Sequence, residues 1–161
     1  MMKGRDRCIA ALSLEEPDIL PIGEGWINPP IIKKVTGLES TWGSHNKRLW
    51  DTYILCYKKL GLDYIVANAG NRQFINKNTW KNEWGTTSRY NPTTGAIAHI
   101  DFPIKTIKDL EDYEPPDPFD PSLLNQVEYF IKKVGDEMLV VAQIPDGGFP
   151  YFLMPFPAFL K

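Results

Sequence analysis

Leu60-Gly61-Leu62-Asp63-Tyr64-Ile65-Val66-Ala67 decides the fold class. In the residues before it, from about Ser44, the side chains Leu49, Trp50, Tyr53, Ile54, Tyr57 and Leu60 fall on one broad apolar stripe at helical spacing. Gly61 supplies a C-terminal cap, and Tyr64 to Ala67 reads as a short buried strand. Helix, glycine, then buried strand is the α-to-β half of an α/β unit. The same order returns downstream. Asp120-Pro121 starts a helix whose Leu123, Leu124, Val127, Phe130, Ile131 and Val134 face a core; Gly135 ends it, and Met138 to Gln143 is the next buried strand. Strands that alternate with helices imply parallel pairing.

Working outward, Arg5 to Leu14 predicts an opening helix with Cys8, Ile9 and Leu12 on one face, stopped by Pro17. Ile19-Leu20-Pro21-Ile22 reads as a first short strand opening into Gly23-Glu24-Gly25, with Pro21 a weak point in it. Asn28-Pro29-Pro30 caps a short helix that stops at Gly37. From Thr79 to Tyr90 the period changes to two, with Trp80, Asn82, Trp84, Thr86, Ser88 and Tyr90 alternating against Lys81, Glu83, Gly85, Thr87 and Arg89. With the turn-rich Asn91 to Gly95 and Ala96 to Ile100, this predicts an inserted antiparallel hairpin. Thr106, with Asp109 three residues on, predicts a capped short helix, and Glu114 to Pro121, with four prolines, an extended linker.

The chain has 161 residues, 43% hydrophobic and 24% charged, which suits a globular domain with a real core. Eighteen Lys and Arg stand against twenty Asp and Glu, for a formal net charge of −2. That balance argues against a dedicated nucleic-acid or anionic-membrane binder. Cys8 and Cys56 are too few for a disulfide scaffold, no apolar run approaches a membrane span, and Met1 to Leu14 lacks a secretory apolar stretch. These features predict a cytoplasmic protein with no nucleic acid and no membrane among its partners.

Several segments, in order, resemble the uroporphyrinogen decarboxylase superfamily, which also contains corrinoid-linked methyltransferases. Gly4 to Leu12, Glu16-Pro17-Asp18 and Leu20-Pro21-Ile22 look like the family's opening helix and first strand, and Leu60 to Ile65 like its next helix-to-strand step. Asn82-Glu83-Trp84-Gly85 matches a hairpin motif of the methyltransferase branch, and Pro103 with Ile107 to Tyr113 and Pro116-Asp117-Pro118 a further family stretch. The resemblance spans roughly residues 1–148 and leaves 149–161 as an atypical apolar, proline-rich tail. It implies an α/β chain that is part of a TIM (β/α)8 barrel, with about three parallel strands, helices and the inserted hairpin. A whole barrel needs about 250 residues.

Within that resemblance the decarboxylases carry an Arg-Gln-Ala-Gly-Arg loop after the first strand. Here the loop is Gly23-Glu24-Gly25-Trp26-Ile27-Asn28, with no arginine to hold a polyanionic porphyrinogen. Their next essential aspartate has no counterpart in Asn68-Ala69-Gly70-Asn71-Arg72. The methyltransferase branch uses zinc, bound by a His-x-Cys pair and a later Cys of the barrel's second half, and a corrinoid supplied by a partner protein. No cofactor and no metal site are expected in this chain itself, because His45, His99, Cys8 and Cys56 show no ligand spacing. The expectation is an incomplete corrinoid-dependent methyltransferase. Uroporphyrinogen decarboxylase, in porphyrin biosynthesis, and a non-catalytic fragment or subunit completed by another chain are the alternatives.

No catalytic residue is identified. Glu24, Asn68, Asn71, Arg72 and Asp146 follow the ends of predicted strands, where barrel enzymes place their loops, and are the candidate contacts to a small-molecule substrate. Each also has an ordinary explanation: Glu24 as a loop carboxylate in water, the others as turn residues. His45 is expected at the surface and His99 in a structural position. Trp80, Trp84 and Tyr90, near Lys77, Lys81 and Arg89, imitate a base-stacking platform, but one aromatic hairpin face packed on a barrel mouth accounts for them more simply. Gly147-Gly148 lies in no phosphate-loop motif.

Overall fold

The computed structural model describes residues 1–40, 46–144 and 153–159. The chain forms two compact units, Met1–Ala69 with Leu124–Gln143, and Gly70–Leu123 with Ile144–Lys161.

The first unit contains helices α1 (Gly4–Leu12), α2 (Pro29–Thr36), α3 (Lys47–Leu60) and α5 (Asn125–Val134), with strands β1 (Gly23–Glu24), β2 (Tyr64–Asn68) and β7 (Leu139–Gln143). The strands form one parallel sheet in the order β1-β2-β7. Asn46 caps α3 through its side chain, which accepts from Arg48 N at 2.9 Å, and Gly61, at φ 67°, ends it in the left-handed region. The apolar stripe of α3 is buried through Trp50, Ile54 and Tyr57, together with Ile65 and Ala67 of β2 and Val127, Phe130 and Val134 of α5, but its predicted last member, Leu60, lies exposed at the helix end. One face of the sheet is therefore the floor of a helix-covered core. Tyr64, Val66 and Asn68 alternate to the other face, as do Leu139, Val141 and Gln143 beside them in register.

The N-terminal ends of the three strands are tied together by Asp63. Its backbone N–H donates to Ile22 O at 2.7 Å, and its carbonyl accepts from Leu139 N at 3.0 Å. Its carboxylate accepts from Ile22 N at 2.8 Å and from the Arg7 guanidinium. The Arg7 and Asp63 side chains are each 7% exposed. Arg7 also donates through Nε to Asp18 at 2.7 Å and through Nη2 to Met2 O at 3.0 Å. Every charge in this buried group is thus matched and hydrogen-bonded, the condition under which burying it is tolerable. Gly4 lets α1 come this close, since a Cβ there would lie 2.8 Å from Asp63 Cα and 2.9 Å from Glu137 O.

Three expectations need correction here. The first strand is Gly23–Glu24 and not 19–22: Ile19, Leu20 and Ile22 are exposed, Pro21 has no N–H, and both backbone groups of Ile22 are taken by Asp63. The buried face of α1 is Arg7, Cys8 and Ala10, while Ile9 and Leu12 are exposed, because the ion pairs of Arg7 set the rotation of the helix. The helix beginning at Asp120-Pro121 is preceded by a 3-10 turn, Pro121–Leu124, and Leu124 and Ile131 lie exposed.

The second unit holds a four-stranded antiparallel sheet rather than a hairpin: β3 (Arg72–Asn76), β4 (Thr79–Asn82), β5 (Thr87–Tyr90) and β6 (Ile97–Asp101), in that order. The period-two stretch folds back on itself in the middle. Asn82 closes the turn, its carbonyl accepting from Gly85 N at 3.0 Å and its side chain from Thr86 N at 2.8 Å. Trp80, Ser88 and Tyr90 are buried as the alternation implies. The short helix α4 (Ile107–Glu111) has the expected capping box, with Asp109 N donating to Thr106 Oγ1 at 3.2 Å and Thr106 N to Asp109 Oδ2 at 2.7 Å. In the tail, Phe156–Phe159 forms a four-residue helix, α6, and Leu153 O accepts from Ile104 N at 3.0 Å.

Removing Arg7 leaves Asp63 buried without its cation. Arg7→Ala is expected to cost about 3–5 kcal/mol in chemical denaturation, and a loss below about 1 kcal/mol would contradict the buried ion group. The hydrogen bond from Arg7 holds the Asp18 carboxyl down at about 2, against an ordinary 3.8. Since the folded value is depressed, the stabilisation is present above about 3.8 and is lost as pH falls through about 2. An acid titration followed by circular dichroism checks that window, with Asp18→Asn expected to flatten the response.

Candidate functional site

In a parallel sheet the loops that meet ligands leave from the C-terminal ends of the strands. In the first unit those ends are Glu24, Asn68 and Gln143. Tyr57, from α3, donates its hydroxyl to Glu24 O at 2.6 Å, and the Tyr53 and Tyr57 hydroxyls share a hydrogen bond of 2.7 Å. Burial raises both phenols, Tyr53 to about 12. They are neutral donors near pH 7 and fasten the end of β1 to the helix layer.

The Glu24 carboxylate is exposed and turns onto its own loop, accepting from Gly25 N at 3.0 Å and Trp26 N at 3.4 Å. It stands level with Ile65, three residues short of Asn68, or about 10 Å back along the strand direction. Glu24 and Asn68 are therefore not neighbours. The neighbour of Asn68 is Gln143, its direct partner in register. Asn68 N donates to Gln126 Oε1 at 2.7 Å, and Ala69 N to Gln143 O at 2.8 Å. The Gln143 side-chain oxygen is buried and accepts no hydrogen bond. Neither Gln143 nor Gln126 is a candidate on sequence grounds, because an amide at a strand end or on a helix carries no spacing signal.

Asn71 and Arg72 belong to the second unit, where the structure gathers them around Glu83. Asn71 N donates to Glu83 Oε2 at 3.2 Å, Glu83 N returns a bond to Asn71 O at 3.1 Å, and Asn71 Nδ2 donates to Ser122 Oγ at 2.6 Å. Gly70, at φ 140°, leaves room for the carboxylate, since a Cβ there would meet Glu83 Oε1 at 2.5 Å. Burial raises the Glu83 carboxyl, opposed by its backbone hydrogen bonds, by the charge of Arg72 and by a bond from the Trp84 side chain. The Arg72 guanidinium lies 5.5 Å from the Trp80 ring centroid, a cation–π distance. Glu83 is the functional-looking residue that strand-end reasoning passed over, because it sits in a turn between antiparallel strands. Its place in Asn82-Glu83-Trp84-Gly85 was the only signal available.

His99 is hydrogen-bonded through Nδ1 to Ser88 Oγ at 2.9 Å, across the β5–β6 register, and burial lowers its pKa. That is a strand-to-strand tie, the structural position its alternation predicts. Among the described residues no group of three or more His, Cys, Asp or Glu side chains is arranged to hold a metal ion. His45, Asp146 and Gly147-Gly148 lie outside the described residues. No described helix is long and apolar enough to cross a membrane.

The raised Tyr53 phenol has a consequence in alkali. Because its folded value lies above the ordinary 10, its neutral form contributes stability that is intact below about 10 and disappears as pH rises through about 12. Phenolate absorbance followed alongside circular dichroism tests this: Tyr53 is expected to ionise only as the fold is lost. If all seven tyrosines titrated near the ordinary value in a folded chain, the buried pair would be wrong.

Compared with known proteins, the chain matches no protein-family model, no curated protein and no solved structure.

Proposed function

We propose that this chain supplies the first β/α steps of a (β/α)8 barrel of the uroporphyrinogen decarboxylase superfamily, in its corrinoid-linked methyltransferase branch. In this reading it builds one wall of a pocket and does not complete the reaction alone. The observation that carries the proposal is the parallel β1-β2-β7 sheet, with helices on one face, polar residues at its C-terminal ends and α1 at its N-terminal ends. The face with Tyr64, Val66, Leu139 and Val141 would line the barrel interior. Among the described residues β1 and β7 each pair with one strand only, which leaves both edges open to further strands.

The branch follows from β1 and the loop after it. These six residues, 23–28, hold no cation for a polycarboxylate substrate, and their one carboxylate is turned onto backbone N–H groups. Methyl transfer from a corrinoid on a partner protein to a small-molecule thiol makes no such demand. Glu24 and Asn68 of the first unit are then candidate polar contacts to the substrate. Asn71 and Arg72 of the second unit, where Glu83 is the carboxyl that holds Asn71, are a separate candidate group, and Asp146 is proposed from the sequence alone. Bound zinc supplies thiolate activation in this branch. The described residues do not compose its ligand set, so no step through a metal is assigned to this chain. A non-catalytic subunit is the second reading, favoured by the same open edges.

Co-expression with the zinc-bearing second half of a corrinoid-linked methyltransferase of this superfamily tests both. The expected result is a one-to-one complex that demethylates methylcobalamin with a thiol acceptor, while the chain alone does neither. Turnover by the chain alone would overturn its incompleteness. A complex without turnover would favour the non-catalytic subunit, and no complex would remove the barrel reading.

A further inference from the structure

Asn68 and Gln143 end adjacent parallel strands and are direct register partners, so their side chains leave the sheet on the same face, about 5 Å apart. Gln143 Oε1 is buried without a donor. A carbonyl oxygen taken out of water with nothing to accept from is a net cost to folding, and such orphan groups ask for an explanation. A leucine at this position would have filled similar volume with no such cost. We propose that Asn68 and Gln143 form a subsite for a neutral, carboxamide-bearing ligand. The ligand N–H donates to Gln143 Oε1, and its carbonyl accepts from Asn68 Nδ2. This rests on the reading that a small molecule meets the C-terminal ends of these strands, and adds the chemical class of the group received there.

The choice of an amide follows from charge and from hydrogen-bond inventory. β2 and β7 carry Tyr-Ile-Val-Ala-Asn and Leu-Val-Val-Ala-Gln, without one ionisable acid or base at their C-terminal ends. A carboxylate or ammonium stripped of water against two neutral amides would find no opposite charge. A primary amide carries a donor and an acceptor side by side, so it matches the pair in either orientation of the Gln143 carboxamide. Gln126 steadies the site from α5, since its Oε1 accepts from Asn68 N and fixes the backbone that presents the Asn68 side chain.

The test titrates the isotopically labelled full chain with propionamide, and separately with propionate, following the side-chain amide resonances by nuclear magnetic resonance. Saturable shifts of the Asn68 and Gln143 signals with propionamide, and none with propionate at equal concentration, are expected. Gln143→Leu should lose the response while keeping or raising Tm. Asn68→Ala should weaken the response in a chain that stays folded. Equal shifts with both probes, no shift with either, or an ordered water on Gln143 Oε1 that propionamide does not displace would each overturn the subsite. So would a fall in Tm on Gln143→Leu, which marks a structural amide. No corrinoid or completing chain is needed, so this result and that of the methyl-transfer experiment can fail separately.

Discussion

The bond between Arg7 and Asp63 organises the first unit. Asp63 is one residue with four uses: its N–H and C=O continue the sheet to the segments on either side, and its carboxylate holds Ile22 N and the Arg7 guanidinium. Through it, α1 is fixed to the N-terminal ends of β2 and β7, and the chain entering β1 is held in line. Such a group is costly to bury, and it stabilises only because all three guanidinium nitrogens and both Asp63 carboxylate oxygens have a partner. Once that end is fastened, the hydrophobic packing of α3 and α5 on Ile65 and Ala67 has a defined register to act on.

What the sequence made legible was the part governed by periodicity. The stripe along Trp50, Ile54 and Tyr57, the glycine at 61 and the run from Tyr64 lead directly to the observed helix and strand, and the same logic finds Val127, Phe130 and Val134. Where long-range polar contacts decide, periodicity fails. Ile19-Leu20-Pro21-Ile22 has strand composition, yet the pairing goes to Gly23–Glu24 because Asp63 takes the backbone of Ile22. Arg7 is charged and buried, the reverse of what its residue type suggests. β3 escaped notice because Arg-Gln-Phe-Ile-Asn has no alternation and most of it is exposed.

The candidate site divides in the same way. Strand-end reasoning puts Glu24 and Asn68 just after predicted strands, whereas they are the last residues of β1 and β2. Proximity in a sheet depends on register, and register sets Asn68 beside Gln143 rather than Glu24. Asn71 and Arg72 meet Glu83 through a turn whose geometry rests on Asn82 and Gly85. Two ends of the parallel sheet thus differ in kind. One is saturated with matched charge, and at the other β2 and β7 end in uncharged amides, one of them with an unmet acceptor.

β1 is two residues long and holds to β2 through two register pairs, while β7 holds through five. Local opening needs least energy where fewest backbone bonds must break together. The sheet therefore has one firm margin and one that peels, and the Tyr57 bond to Glu24 O acts as the latch on the weaker side. A strand arriving from elsewhere would find that margin the easier to enter, by slipping the latch and continuing the ladder in its place.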